Sequence, residues 1–218
     1  MAKRGSVLRV VSKEELEGAL AQGFLAPIEP LAGKPIACTD VRELVADAHE
    51  QGAAAVCDLS VVGTACAAVR LGADVAFAPA AAAGKTLVWV ARGEQSVADV
   101  ARWLLSAGRE AGDEEMALLE QRARAWRSSS DAAQVVASYL VCHPRVESVA
   151  YPGLRSDPSY EIASRTLENG FGPLVDVRLV GEDSWRRITC TPDDPMTLVA
   201  RLEPVTYTHL TLPTISGV

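Results

Sequence analysis

The sequence predicts an α/β fold, with a mainly parallel sheet in its first part and a smaller α+β unit in its last. Three observations carry this. Short apolar runs closed by a polar residue, residues 53–57 before Asp58 and residues 73–77, read as strands buried on both faces. Helical stretches between them end at Gly52 and Gly72, the rhythm of right-handed crossover units. Beyond His143-Pro144 the pattern turns to alternation, with Val175, Val177 and Leu179 set against Asp176 and Arg178.

Along the chain, Ser12-Lys13-Glu14-Glu15 is a capping box that opens a helix over about 12–22, with Leu16, Ala19 and Leu20 on one face. Residues 24–28 read as a strand. Thr39 is the expected cap of a second helix, whose apolar face is Val41, Leu44, Val45 and Ala48 and which stops at Gly52. A helical turn over 66–71 and a strand over 86–91 follow. From Ser96 the pattern is helical, with Val97, Val100, Trp103 and Leu104 on one face, and a longer helix runs from about Asp113 to Cys142. Residues 146–149, 174–180 and 186–191 read as strands and 158–168 as a helix. These elements divide the chain at the long helix, into residues 1–125 and 126–204.

Composition excludes several classes. Hydrophobic residues make up 49% and charged residues 22% of the 218, a folded, water-soluble balance. The net charge is -7 and no block of Lys and Arg appears, so nucleic acid is not an expected partner. No window approaches the roughly 20 apolar residues of a membrane span, and residues 7–11 are too short for a secretory core. Cytoplasm is therefore the expected location. The five cysteines, Cys38, Cys57, Cys66, Cys142 and Cys190, show no Cys-x-x-Cys spacing and read as reduced, mostly buried thiols. His49, His143 and His209 form no metal pattern. Gly84-Lys85-Thr86 ends like a phosphate loop, but Pro79 stands where such a loop needs its first glycine.

Two stretches resemble a known family. His143-Pro144-Arg145-Val146, then Tyr151-Pro152-Gly153-Leu154, Ser156-Asp157-Pro158 and Gly170-Phe171-Gly172, resemble the opening of the small domain of the Cys/Met metabolism PLP-dependent enzymes, the cystathionine gamma-synthase and gamma-lyase group. Upstream, Ala48-His49 through Gly52 to Val56-Cys57-Asp58 is similar to that family's "AH..G....VD" segment, and Leu71-Gly72-Ala73-Asp74 to its "LGAD" strand. The resemblance implies a partial large domain of the aspartate aminotransferase-like fold, followed by the small domain. It also implies pyridoxal phosphate (PLP) as cofactor and a sulfur-containing amino acid as substrate, with exchange or cleavage of carbon–sulfur bonds. Such chemistry needs a lysine that holds the cofactor as an imine and a buried carboxylate on the pyridine nitrogen. By the resemblance, Asp58 is that carboxylate.

The lysine is where the sequence departs. Counted from Ala73-Asp74, the family's "S.TK" falls on Pro79-Ala80-Ala81-Ala82, which puts Ala82 at the imine position and Pro79 and Ala81 where hydroxyls would meet the phosphate. Lys85 lies three residues on, too large a slip for a site built to sub-ångström tolerance. No motif selects a substrate-carboxylate arginine among Arg186, Arg187 and Arg201. The resemblance also implies missing amino-terminal parts of the large domain. Residues 205–218 do not follow the family and resemble a translated sequencing adapter, so they are set aside as a non-native tail. Two readings follow. One is a diverged or truncated transsulfuration enzyme that is not catalytically competent alone. The other is a non-catalytic partner, pairing with itself or with a complete homologue.

Overall fold

The computed structural model describes residues 5–21, 27–91 and 99–192. The elements, in chain order, begin with β1 (Ser6–Ser12), α1 (Lys13–Leu20), β2 (Leu31–Ala32), β3 (Ala37–Cys38), α2 (Val41–Glu50) and β4 (Val56–Asp58). A single 3-10 turn at Gly63–Ala65 leads to α3 (Ala68–Leu71), β5 (Val75–Pro79) and β6 (Lys85–Ala91). Next come α4 (Asp99–Ser106), β7 (Arg109–Glu110), α5 (Asp113–Val141), β8 (Val146–Ala150), α6 (Tyr160–Thr166), β9 (Leu174–Leu179) and β10 (Arg186–Thr189).

Among the described residues the strands form a five-stranded sheet in the order β4-β5-β6-β1-β7, a three-stranded sheet β10-β9-β8 and the hairpin β2-β3. The α/β class and the small α+β unit are as expected. In strand direction the large sheet is mixed. β4 and β5 run parallel, joined by α3, and Ile28 adds a parallel bridge to Cys57. β6 returns antiparallel because a five-residue turn, 80–84, separates it from β5, and so short a link permits only a hairpin. β1 pairs antiparallel with β6 along its whole length, Ser6 to Ser12.

Helices cover both faces of this sheet. On one, Val11, Val56, Val75, Val88 and Val90 pack with Leu16 and Ala19 of α1 and Leu104 of α4. On the other, Cys57, Ala76, Ala78 and Ala91 meet Val41, Val45 and Ala48 of α2 and Ala68 and Val69 of α3. Each fully buried valine contributes about 1.5–3 kcal/mol.

Several expectations are corrected locally. Asp40, not Thr39, caps α2: its Oδ1 accepts from the amides of Arg42 at 3.2 Å and Glu43 at 3.4 Å, while the Thr39 amide donates to the Pro30 carbonyl beside the hairpin. Residues 53–55 lie outside β4, since the Ala55 amide turns to the Asp74 carboxylate. Trp103 is 45% exposed, whereas its neighbour Leu104 is fully buried. Cys142 is exposed; the other four thiols are buried. Of the expected 24–28 strand only Pro27 and Ile28 fall within the described residues, and Val97, Arg201 and the 205–218 tail fall outside them. No described helix is long and apolar enough to cross a membrane.

Helix α5 spans the boundary drawn from sequence without a break. Leu119 and Trp126 pack on the first part of the chain, and residues from Ala132 to Leu140 pack on β8 and β9. Its start is pinned by Glu115, which receives Arg109 at 2.5 Å and the Gly112 amide at 2.8 Å. These bonds, the Arg109 guanidinium first, hold the Glu115 carboxyl down at about 2. The two parts are tied again by the Glu168 amide on the Ala65 carbonyl at 2.7 Å, by Arg70 on Glu168 at 2.6 Å and by Arg165 on Asp40.

Candidate functional site

Asp58 is the last residue of β4 and is half-buried. Its amide donates to the Ile28 carbonyl at 2.9 Å, and its Oδ1 accepts from the Ser60 amide at 2.8 Å, the side-chain turn that lets an aspartate end a strand. In register Asp58 lies beside Phe77, and Phe77 beside Val88, so these three side chains share a face of the sheet. Lys85 is three residues from Val88. An odd count places it on the opposite face, with its Cα roughly 14 Å from that of Asp58 by strand spacing and rise. It stands exposed opposite Ser12, where its charge adds to the Ser12 hydrogen bonds that lower the Glu15 carboxyl.

Ala82 sits exposed in the turn that closes the β5–β6 hairpin. Its carbonyl accepts from the Lys85 amide at 3.1 Å, and the Gly84 carbonyl accepts from the Lys13 amide at 3.0 Å, so the turn is fastened to the start of α1. The chain has four lysines in all: Lys3, Lys13, Lys34 and Lys85. Lys13 pairs with Glu17 at 3.5 Å and Lys34 is exposed between β2 and β3; Lys3 lies outside the described residues.

Beyond the carboxyl ends of β4 and β5 lies a cleft of about 320 Å³, where open α/β sheets place ligands. It is lined by the 59–64 loop, by Ala78 and Pro79 from β5, by Arg122, Trp126 and Ser129 from α5, and by Pro173. Asp58 precedes that loop without joining its walls. Arg122 donates to the Pro79 carbonyl. Sequence reading missed Arg122, because an arginine on a long polar helix face carries no signal until the fold lays it against a strand end.

The residues that carried the resemblance hold the fold. Asp74 is fully buried; its Oδ2 accepts from the Ala55 amide at 2.9 Å and from His49 Nε2 at 2.8 Å. Gly72, at φ +120°, approaches Val45 so closely that a Cβ would lie 3.0 Å from its Cγ1. In the second half, fully buried Tyr151 turns its hydroxyl to the carbonyls of Ser130 at 3.1 Å and Gly172 at 3.2 Å, and its amide donates to Asp157 at 3.0 Å. The Gly172 amide donates to Ser130 Oγ at 3.0 Å and Trp126 Nε1 to the Glu168 carbonyl at 3.2 Å, so residues 168–172 wrap over α5.

The described arginines that sequence left open are both engaged. Arg186 pairs with Glu182 at 2.5 Å. Arg187 forks onto fully buried Asp176, Nε at 2.9 Å and Nη2 at 2.7 Å, and also donates to the Gly33 carbonyl. Burial pushes the Cys38 and Cys66 thiols up to about 12 and Cys190 to about 11, so these cysteines stay protonated and unreactive.

Comparison with known proteins bears on these motifs. The profile of the Cys/Met metabolism PLP-dependent enzymes matches residues 116–191, the stretch from α5 through the small sheet. Over these residues the chain is similar to that family. Over 50 residues it is 52% identical to cystathionine gamma-synthase of Mycobacterium tuberculosis, an alignment covering 23% of this chain and 13% of that protein. L-methionine gamma-lyase of Fusobacterium nucleatum is 41% identical over 49 residues, covering 22% of this chain and 12% of that one. Among solved structures, a methionine gamma lyase from Micromonospora echinospora superposes with a TM-score of 0.63 at 20% identity, over 88% of this chain and 68% of that one, which shows the fold. Cystathionine gamma synthase from Xanthomonas oryzae pv. oryzae, solved with aminoacrylate and cysteine, gives 0.57 at 26% identity, over 77% and 46%. The chain thus matches only a small part of its curated relatives' length.

The described residues do not present the groups that PLP held as an imine needs. Ala82, the residue expected at the imine position, is a methyl on an exposed turn. Pro79, expected where a hydroxyl would meet the phosphate, has no N–H, and its carbonyl accepts from Arg122. Asp58 Oδ1 is held by the Ser60 amide, and no lysine among the described residues shares its face of the sheet. The residues present do not fit PLP held as an imine.

Proposed function

We propose that the chain is a diverged or truncated member of the PLP-dependent transsulfuration enzymes, whose relatives act on sulfur-containing amino acids, and that it is not catalytically competent by itself. One observation carries this reading: Ala82 occupies the hairpin turn while Lys85, the nearest amine in sequence, stands across the sheet from Asp58. Asp58 is the vestige of the cofactor carboxylate, kept at the strand end and used to turn the chain at Ser60. The division into residues 1–125 and 126–204 corresponds to the remnant large domain and the small domain, sharing α5. With PLP added, L-cystathionine and L-methionine should yield no 2-oxo acid above a protein-free control. Production that rises with protein and disappears in Asp58→Asn would overturn the reading.

A partner role is favoured by exposed apolar side chains on a chain of this size: Val61 is 48%, Trp103 45% and Met116 50% exposed. Sedimentation equilibrium at micromolar concentration should show self-association, or association with a complete homologue. A monomer that ignores such a homologue contradicts this part of the proposal.

A further inference from the structure

The cleft at the carboxyl ends of β4 and β5 carries a positive charge that the other described residues leave uncompensated. Arg122 is the sole charged side chain on its walls among the described residues. A guanidinium has five N–H donors; Arg122 directs Nη1 at the Pro79 carbonyl and forms no ion pair among the described residues. Its neighbours on α5 differ. Arg124 pairs with Glu120 at 3.8 Å and Arg127 with Asp131 at 3.1 Å.

The walls around it divide by chemistry. Ser60, Thr64 and Ser129 bring hydroxyls, and Val61, Val62, Trp126 and Pro173 supply an apolar wall. A volume of about 320 Å³ lies at the lower end of the range for small-molecule pockets. A forked cation above an apolar wall matches a planar or tetrahedral oxyanion attached to a short hydrocarbon body. Asp58, which adjoins the 59–64 loop, has its Oδ1 on the Ser60 amide and is not on the walls, and Glu120, two residues from Arg122, pairs with Arg124.

From these features we infer that the cleft is a reversible binding site for a small organic anion, with a carboxylate or phosphate end seated on Arg122 and an aliphatic body against Trp126. The inference does not rest on the absence of an imine lysine, and its test contains no PLP. Butyrate and ethyl phosphate, in separate calorimetric titrations of the full chain at low salt, distinguish the two kinds of anion. At least one should saturate below about 10 mM. Arg122→Gln should weaken that binding about tenfold, Arg122→Lys should weaken it less, and Arg124→Gln should leave it unchanged. A thermal melt of each variant separates lost binding from lost folding. Absence of saturation with both probes overturns the inference, as does equal binding by folded Arg122→Gln and the parent protein.

Discussion

Asp176→Ala should destabilise the protein by about 3 kcal/mol, read as a lower urea midpoint with an unchanged slope. Asp176 is fully buried in β9, and both of its oxygens are in use. Oδ2 accepts from the Ile36 amide at 2.6 Å and from Arg187 Nη2 at 2.7 Å, and Oδ1 from Arg187 Nε at 2.9 Å. Alanine would orphan a buried amide in the β2–β3 hairpin and release the arginine that clasps Gly33. The carboxylate thus joins the small sheet to residues 140 positions earlier in the chain. The loss stays near the lower end for broken buried pairs because the Arg187 side chain is 31% exposed and water can solvate it. Arg187→Ala in the Asp176→Ala background should then add little, since the two act as one unit. A loss below about 1 kcal/mol for Asp176→Ala would show that this clasp is incidental.

Gly170→Ala should cost about as much, for a different reason. At φ +121° the added Cβ would lie 2.4 Å from Ser130 Cβ and 2.6 Å from Ser130 Oγ. Neither side can yield easily: Ser130 is anchored in α5 and holds the Gly172 amide, and Trp126 holds the Glu168 carbonyl. Overpacking of this kind costs about 1–3 kcal/mol, and a left-handed backbone adds about 1–2 kcal/mol for a residue with a side chain. Gly181→Ala separates the two effects, because Gly181 has φ +80° with open space around it. Its melting temperature should fall by the backbone part alone. Equal losses at the two positions would mean that contact with Ser130 contributes nothing.

What the sequence revealed depended on how local the cause was. The capping box at Ser12 and Glu15 is a four-residue arrangement and forms as read, with the Glu15 amide on Ser12 Oγ at 3.1 Å. Gly52 and Gly72 end their helices at positive φ as expected. β1 went unassigned because Val7-Leu8-Arg9-Val10-Val11 declares itself a strand only through pairing with residues about eighty positions away. The choice of Asp40 over Thr39 as cap was settled by tertiary contacts: Arg165 lies on Asp40, and the Thr39 amide is used by Pro30.

At the candidate site the order of residues gives expected residue types and no geometry. The count that placed Ala82 at the imine position needed only the order of residues. That Lys85 points from the other face of the sheet follows from strand register, which depends on the length of the hairpin turn and on pairing with β1. Motif residues such as His49, Asp74, Tyr151 and Gly170 carry the family resemblance and serve to hold the backbone.

Pyridoxyl labelling tests the absence of an imine lysine most directly. Incubate the protein with PLP, reduce with borohydride, and map the pyridoxyl label by peptide mass spectrometry over Lys3, Lys13, Lys34 and Lys85. Trace labelling is expected, spread over the lysines in proportion to exposure and no greater in the folded protein than in the urea-unfolded chain. One equivalent of label on a single lysine of the folded protein, lost on unfolding, would contradict it.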